Sequence, residues 1–163
     1  MVADGSPLHK TKTGTVTMYH ATDRVAAKAI LDERWFYRGY TGMLGGGIYF
    51  SSDAEGASRK RRRHNDNGEQ GPSVVLAVRV DMGTTGVWRR GTDLRWSDFE
   101  DYGVESAKVD GLDSYMILDS DQILDIVVHS GKITDEEEED SWHDQNEDSR
   151  DSRAPKRRRI DSR

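Results

Sequence analysis

The sequence predicts an α+β domain with a mixed, mainly antiparallel sheet and two helices placed early. Three observations carry this. Strand-like stretches outnumber helical ones: Thr15–Tyr19, Ile48–Phe50, Val74–Val80, Tyr115–Leu118 and Ile123–Val128 are short apolar or alternating runs. The only helix signals, over 23–33 and 52–62, fall in the first half of the chain. Strands therefore follow strands, without the regular strand–helix alternation of a parallel sheet. Val74–Val80 is the most apolar run, as a central strand covered on both faces would be.

Residues 1–13 are polar and read as a flexible N-terminus. Residues 14–20 alternate, with Val16, Met18 and His20 on one side, and read as a strand. Val25, Ala26, Ala29 and Ile30 form the apolar stripe of a helix over 23–33, with Asp23 at its positive end. Trp35–Tyr37 reads as a short aromatic strand, and 38–45 as a glycine-punctuated loop long enough to reach over a ligand. Gly45–Gly47 leads into a strand over 47–51. Ser52 and Glu55 then have capping-box spacing at the start of the second helix. That helix ends in the basic run Arg59–Arg63, which fits a solvated helix end, a phosphate patch or an import signal. Residues 83–104 read as irregular, 115–118 and 123–128 as strands, and 119–122 as a turn between them.

The 163 residues make room for one folded domain, assigned to 14–132. Beyond it, 133–163 holds Asp135–Asp140 and little that could be buried, and reads as a disordered tail. Residues 133–163 carry 7 Lys/Arg against 11 Asp/Glu, a net of −4; the other 132 carry 17 against 19, a net of −2. The body thus has no overall charge drawing it to nucleic acid. The absence of cysteine excludes disulfides and thiolate chemistry, and five scattered histidines predict no metal site. With no apolar run that could span a bilayer and no leader-like N-terminus, an intracellular protein is expected. The proline-led cluster Lys156, Arg157, Arg158 and Arg159 has the form of a nuclear import signal, pointing to the nucleus.

Two stretches carry chemistry. Tyr19-His20-Ala21-Thr22 ends a strand on an imidazole, and Gly45-Gly46-Gly47-Ile48-Tyr49-Phe50 sets a tyrosine on a strand after a glycine loop. Alone, each is as much a satisfied polar residue or a hairpin bend as a site. Together with Gly103–Ala107 and Ser114–Leu124 they resemble, in order, the catalytic domain of poly(ADP-ribose) polymerase-type (diphtheria-toxin-like) ADP-ribosyltransferases, in a compact form spanning roughly 14–130.

That resemblance implies NAD as substrate and transfer of ADP-ribose from nicotinamide to a protein or nucleic-acid acceptor. It assigns His20 to the adenosine ribose, the backbone of Ala21 (commonly glycine) to the nicotinamide amide and Tyr49 to the nicotinamide ring, and it counts Thr22 among the cofactor-binding residues. Ser58, or the neighbouring Ala57, falls near a serine that binds the same amide, and Lys60 falls near the family's second stacking tyrosine. The family's glutamate aligns with Ser114, giving a His20–Tyr49–Ser114 set. A serine cannot stabilise a cationic centre as a carboxylate does, and the resemblance implies that loss of the glutamate goes with mono-ADP-ribosylation or with inactivity. Asp113 reaches the same face only if the strand slips by one residue, and Glu105 is a further carboxylate to consider. Two other readings stay open: an inactive NAD- or ADP-ribose-binding module, and an RNA 2′-phosphotransferase-like enzyme gripping phosphates through Arg24, Arg38 and Arg59.

Overall fold

The structure, a computed structural model, describes residues 5–64 and 73–133. The chain divides into two units, Met1–Gly131 and Lys132–Arg163. The acidic run Asp135–Asp140 and the basic cluster Lys156–Arg159 lie outside the described residues.

Among the described residues the fold is α+β, with eight strands and three α-helices. The strands are β1 His9–Lys12, β2 Thr15–Asp23, β3 Ile48–Phe50, β4 Ser73–Asp81, β5 Thr84–Trp88, β6 Ser106–Val109, β7 Tyr115–Ile117 and β8 Ile123–Ser130. The helices are α1 Arg24–Glu33, α2 Ala54–His64 and α3 Trp96–Tyr102. One sheet runs β2-β4-β8 and the other β1-β5-β6-β7-β3. Only β5 and β6 pair in parallel.

The apolar run of β4 makes it the middle strand of the smaller sheet, in register from Thr15 opposite Asp81 to Asp23 opposite Ser73. Val74, Leu76, Val78 and Val80 are fully buried there. Asp23 closes β2 and also starts α1, its carboxylate accepting from the Ala26 amide at 2.7 Å. Strand β3 divides two cores, as period-two alternation requires. Ile48 and Phe50 face a core with Met18, Phe36 and Leu76, while Tyr49 packs towards Leu44, Trp88 and Met116.

Several sequence expectations are corrected. His9–Lys12, assigned to a flexible end, forms an edge strand from His9 opposite Val87 to Lys12 opposite Thr84. Trp35–Tyr37 is not a strand: α1 ends on a left-handed Arg34 (φ 55°), and the Phe36 amide goes to the Ser120 hydroxyl at 3.0 Å instead of a neighbouring strand. The 83–104 stretch holds β5 and α3, and β6 follows it. Helix α2 is capped by Asp53, which accepts from the Gly56 amide at 2.6 Å, not by Ser52. The Ser52 amide is engaged by the Asp113 carboxylate at 3.0 and 3.1 Å.

Candidate functional site

An isolated bridge joins the two sheets. Tyr19 of β2 and Ser51, just past β3, exchange backbone hydrogen bonds of 2.8 and 2.9 Å. A cleft of about 620 Å³ opens beside this junction. His20, Tyr49 and Ser114 all line it, although they come from β2, β3 and the residue before β7.

The His20 imidazole is held by its Nδ1, 3.0 Å from the Tyr49 carbonyl. A carbonyl can only accept, so Nδ1 carries the proton and Nε2 keeps its lone pair. The rings of Phe36 and Phe50 pack edge-on to the imidazole at 5.2 and 6.2 Å. Burial among these rings lowers the His20 pKa; the bond to the Tyr49 carbonyl opposes the shift and the Lys60 charge adds to it. His20 is thus neutral at physiological pH.

Tyr49 is fixed at both ends. Its strand pairs with β7, Tyr49 opposite Met116. Its hydroxyl accepts from the Leu44 amide at 2.9 Å and donates to the Gly45 carbonyl at 2.5 Å. The glycine loop is thereby closed onto the phenol. Gly42 lies so close that a Cβ there would stand 2.5 Å from the ring. Burial raises the Tyr49 pKa, the Leu44 amide opposing and the Asp93 carboxylate adding, so the phenol stays protonated.

Ser114 is buried, and its Oγ has no hydrogen-bond partner. Ser51 is in the same condition and lines the same cleft. Lys60 of α2 reaches between them: its Nζ donates to the carbonyl of Phe50, at 3.4 Å, and to that of Asp113. Arg61 and Arg90 add to the basic lining, and among the described residues no Asp or Glu lines the cleft.

The other expected residues divide. Ala21 lines the cleft. Thr22, opposite Val74 on β2, is not among the lining residues, and neither is Ser58; its neighbour Ala57 occupies the wall and offers no hydroxyl. Asp113 directs its carboxylate to Ser52, and the Glu105 carboxylate accepts from the Thr84 amide at 2.7 Å, so neither supplies negative charge to the cleft. Of the arginines considered for gripping phosphate, Arg24, Arg38 and Arg59 do not line it; Arg38 lies over the Trp96 ring at 6.0 Å and Arg59 is 3.7 Å from Glu55. The basic run is split: Lys60 and Arg61 face the cleft while Arg62 is exposed.

Sequence reasoning missed Ser51 and Arg90. Alternation alone placed Ser51 on the face of Tyr49, two residues on; Arg90 carries no such signal. Among the described residues, no group of three or more His, Asp or Glu is placed to hold a metal ion, and no helix is long and apolar enough to cross a membrane. Comparison with protein-family models finds none that matches the chain, and comparison with curated proteins finds no match.

Proposed function

We propose that the cleft binds NAD and that the protein transfers single ADP-ribosyl units to an acceptor. The observation that carries this is convergence: His20 and Tyr49, 29 residues apart in sequence, share a hydrogen bond and line one cleft. Its volume lies within the few hundred to about 1,000 Å³ usual for small-ligand sites. In this reading the free Nε2 of His20 accepts from a ribose hydroxyl and the Tyr49 ring lies against the nicotinamide. An aromatic face favours a cationic ring by up to about 2 kcal/mol when desolvated. Transfer breaks the C–N glycosidic bond. Nicotinamide leaves with the electron pair and an acceptor oxygen bonds to the ribose carbon; a hydroxyl acceptor releases its proton to solvent, and a carboxylate acceptor has none to release. With no carboxylate among the described lining residues, the charge that steadies the cationic ribose comes from the acceptor itself, and the single unit follows the resemblance, in which loss of the glutamate goes with mono-ADP-ribosylation.

A second reading, binding of NAD or ADP-ribose without transfer, is favoured by the Lys60 ammonium beside Ser114, since a cation there opposes an oxocarbenium centre. Incubation of the full chain with NAD labelled in the ADP-ribose moiety separates the two. Label on an acceptor with release of free nicotinamide supports transfer. Calorimetric binding with neither supports the module. Removal of a 2′-phosphate from RNA would replace both with the phosphotransferase, whose phosphate grip would then be Lys60, Arg61 and Arg90. Tyr49→Ala abolishes NAD binding if the site is correctly identified; unchanged affinity refutes the identification.

A further inference from the structure

The two orphaned hydroxyls are neighbours. β3 and β7 run antiparallel with Ile48 opposite Ile117, Tyr49 opposite Met116 and Phe50 opposite Tyr115. One rung further, the same register sets Ser51 opposite Ser114. Lys60 confirms the proximity, because the carbonyls it binds, on Phe50 and Asp113, are those immediately preceding the two serines. Two serines 1% exposed, both without a hydrogen-bond partner, therefore share one corner of the cleft with an ammonium group.

Buried polar groups are nearly always paired, and a cluster left unpaired in a cleft wall calls for a missing partner. We propose that Ser51 Oγ, Ser114 Oγ and Lys60 form an oxyanion subsite that receives a phosphate-type group. Hydroxyls donate to an oxyanion after rotation about the Cβ–Oγ bond, and the ammonium supplies balancing charge. The remaining charged lining, Arg61 and Arg90, has the same sign. Two described acids near the cleft are engaged away from it. Asp113 is bound to the Ser52 amide, and Asp93 lies by the phenol end of Tyr49. The inference goes beyond NAD binding and stands without it: it requires only an oxyanion, whether the diphosphate of a dinucleotide or a phosphate carried by an acceptor.

The test is amide-resolved NMR of the full chain titrated with inorganic phosphate and then inorganic pyrophosphate, at ionic strength held constant with chloride. Saturable shifts at Ser51 and Ser114 are expected. The double substitution Ser51→Ala, Ser114→Ala weakens them about tenfold or more, and so does Lys60→Met. Because those hydroxyls hold no hydrogen bonds to lose, the double variant keeps its thermal midpoint. Shifts confined to other basic segments, unchanged affinity in the double variant, or a midpoint several degrees lower would each overturn the assignment. Competition with NAD then identifies the source: mutual exclusion assigns the subsite to the dinucleotide, simultaneous binding to the acceptor. Phosphate at the serines with no NAD binding leaves the subsite standing and removes the NAD reading. NAD binding without phosphate does the reverse.

Discussion

Tyr49→Phe isolates what the phenol does from what the ring does. The ring stays on β3, but the hydroxyl that closes the glycine loop is gone. Leu44 is fully buried, and its amide donates to the Tyr49 hydroxyl at 2.9 Å. Losing that acceptor leaves a buried N–H unpaired, at about 1–3 kcal/mol. The Gly45 carbonyl also loses its donor; Gly45 is half-buried, so water recovers much of that bond. The total is about 2–3 kcal/mol, which in a domain of this size lowers the thermal midpoint by roughly 6–12 °C. Local opening caps the loss, because a loop that opens alone takes only its own opening energy from the fold. Thermal unfolding is therefore paired with hydrogen exchange at the Leu44 amide. The expected result is a lower midpoint, or a smaller drop with much faster Leu44 exchange. A midpoint within about 1 °C of wild type with unchanged Leu44 protection would refute the claim that the phenol holds the loop.

Three further outcomes follow from the same geometry. His20 has a pKa below its ordinary value of 6.5, chiefly through burial. As pH falls below about 6.5 the unfolded chain takes up a proton that folded His20 resists, so wild-type stability declines; His20→Gln lacks this contribution, and equal urea midpoint changes between pH 7.5 and 5 in the two proteins would contradict it. Gly42→Ala sets a methyl 2.5 Å from the Tyr49 ring and must displace either the loop or the phenol, costing about 1–3 kcal/mol; unperturbed Tyr49 ring resonances would show that no displacement is needed. Ser114→Glu brings a carboxylate to the cleft beside Lys60, and faster nicotinamide release from NAD is expected; NAD binding without faster release would show that the carboxylate is not what transfer lacks.

The parts of the site that were legible in the sequence were those set by alternation and local caps. The β4 run could only be a buried strand. His20 and Tyr49 follow from strand alternation, whose period is insensitive to the tertiary partner. What was lost depends on partners distant in sequence. The amphipathic stripe of α3 is too thin to read, because only Phe99 of Trp96–Tyr102 is buried. β1 is exposed at every position and is a strand only because β5 offers it an edge. Trp35–Tyr37 has strand-forming residues, but the Ser120 hydroxyl takes the Phe36 amide in place of a strand partner. The site basicity was equally hidden, since Lys60 and Arg61 face the cleft only through the orientation of α2, and Arg90 arrives from beyond β5.

Whether a serine or an aspartate stands at the cleft is decided by packing away from it. Met116 and Ile117 are both fully buried, on opposite faces of β7 and in different cores. A slip of one residue would exchange every face of the strand. It would drive the Tyr115 ring into the slot of Met116, where Gly47 leaves room for a thioether by having no Cβ. Pairing on both sides of β7 opposes the slip, Phe50 opposite Tyr115 on β3 and Ala107 opposite Met116 on β6. The Asp113 carboxylate has its own engagement at the Ser52 amide. Ser114 is therefore locked at the cleft by core residues that never touch a ligand. The wall that results carries Lys60, Arg61 and Arg90 and, among the described residues, no carboxylate to set against a developing cation. In the transfer reading proposed above, the negative charge for glycosidic chemistry comes from the acceptor.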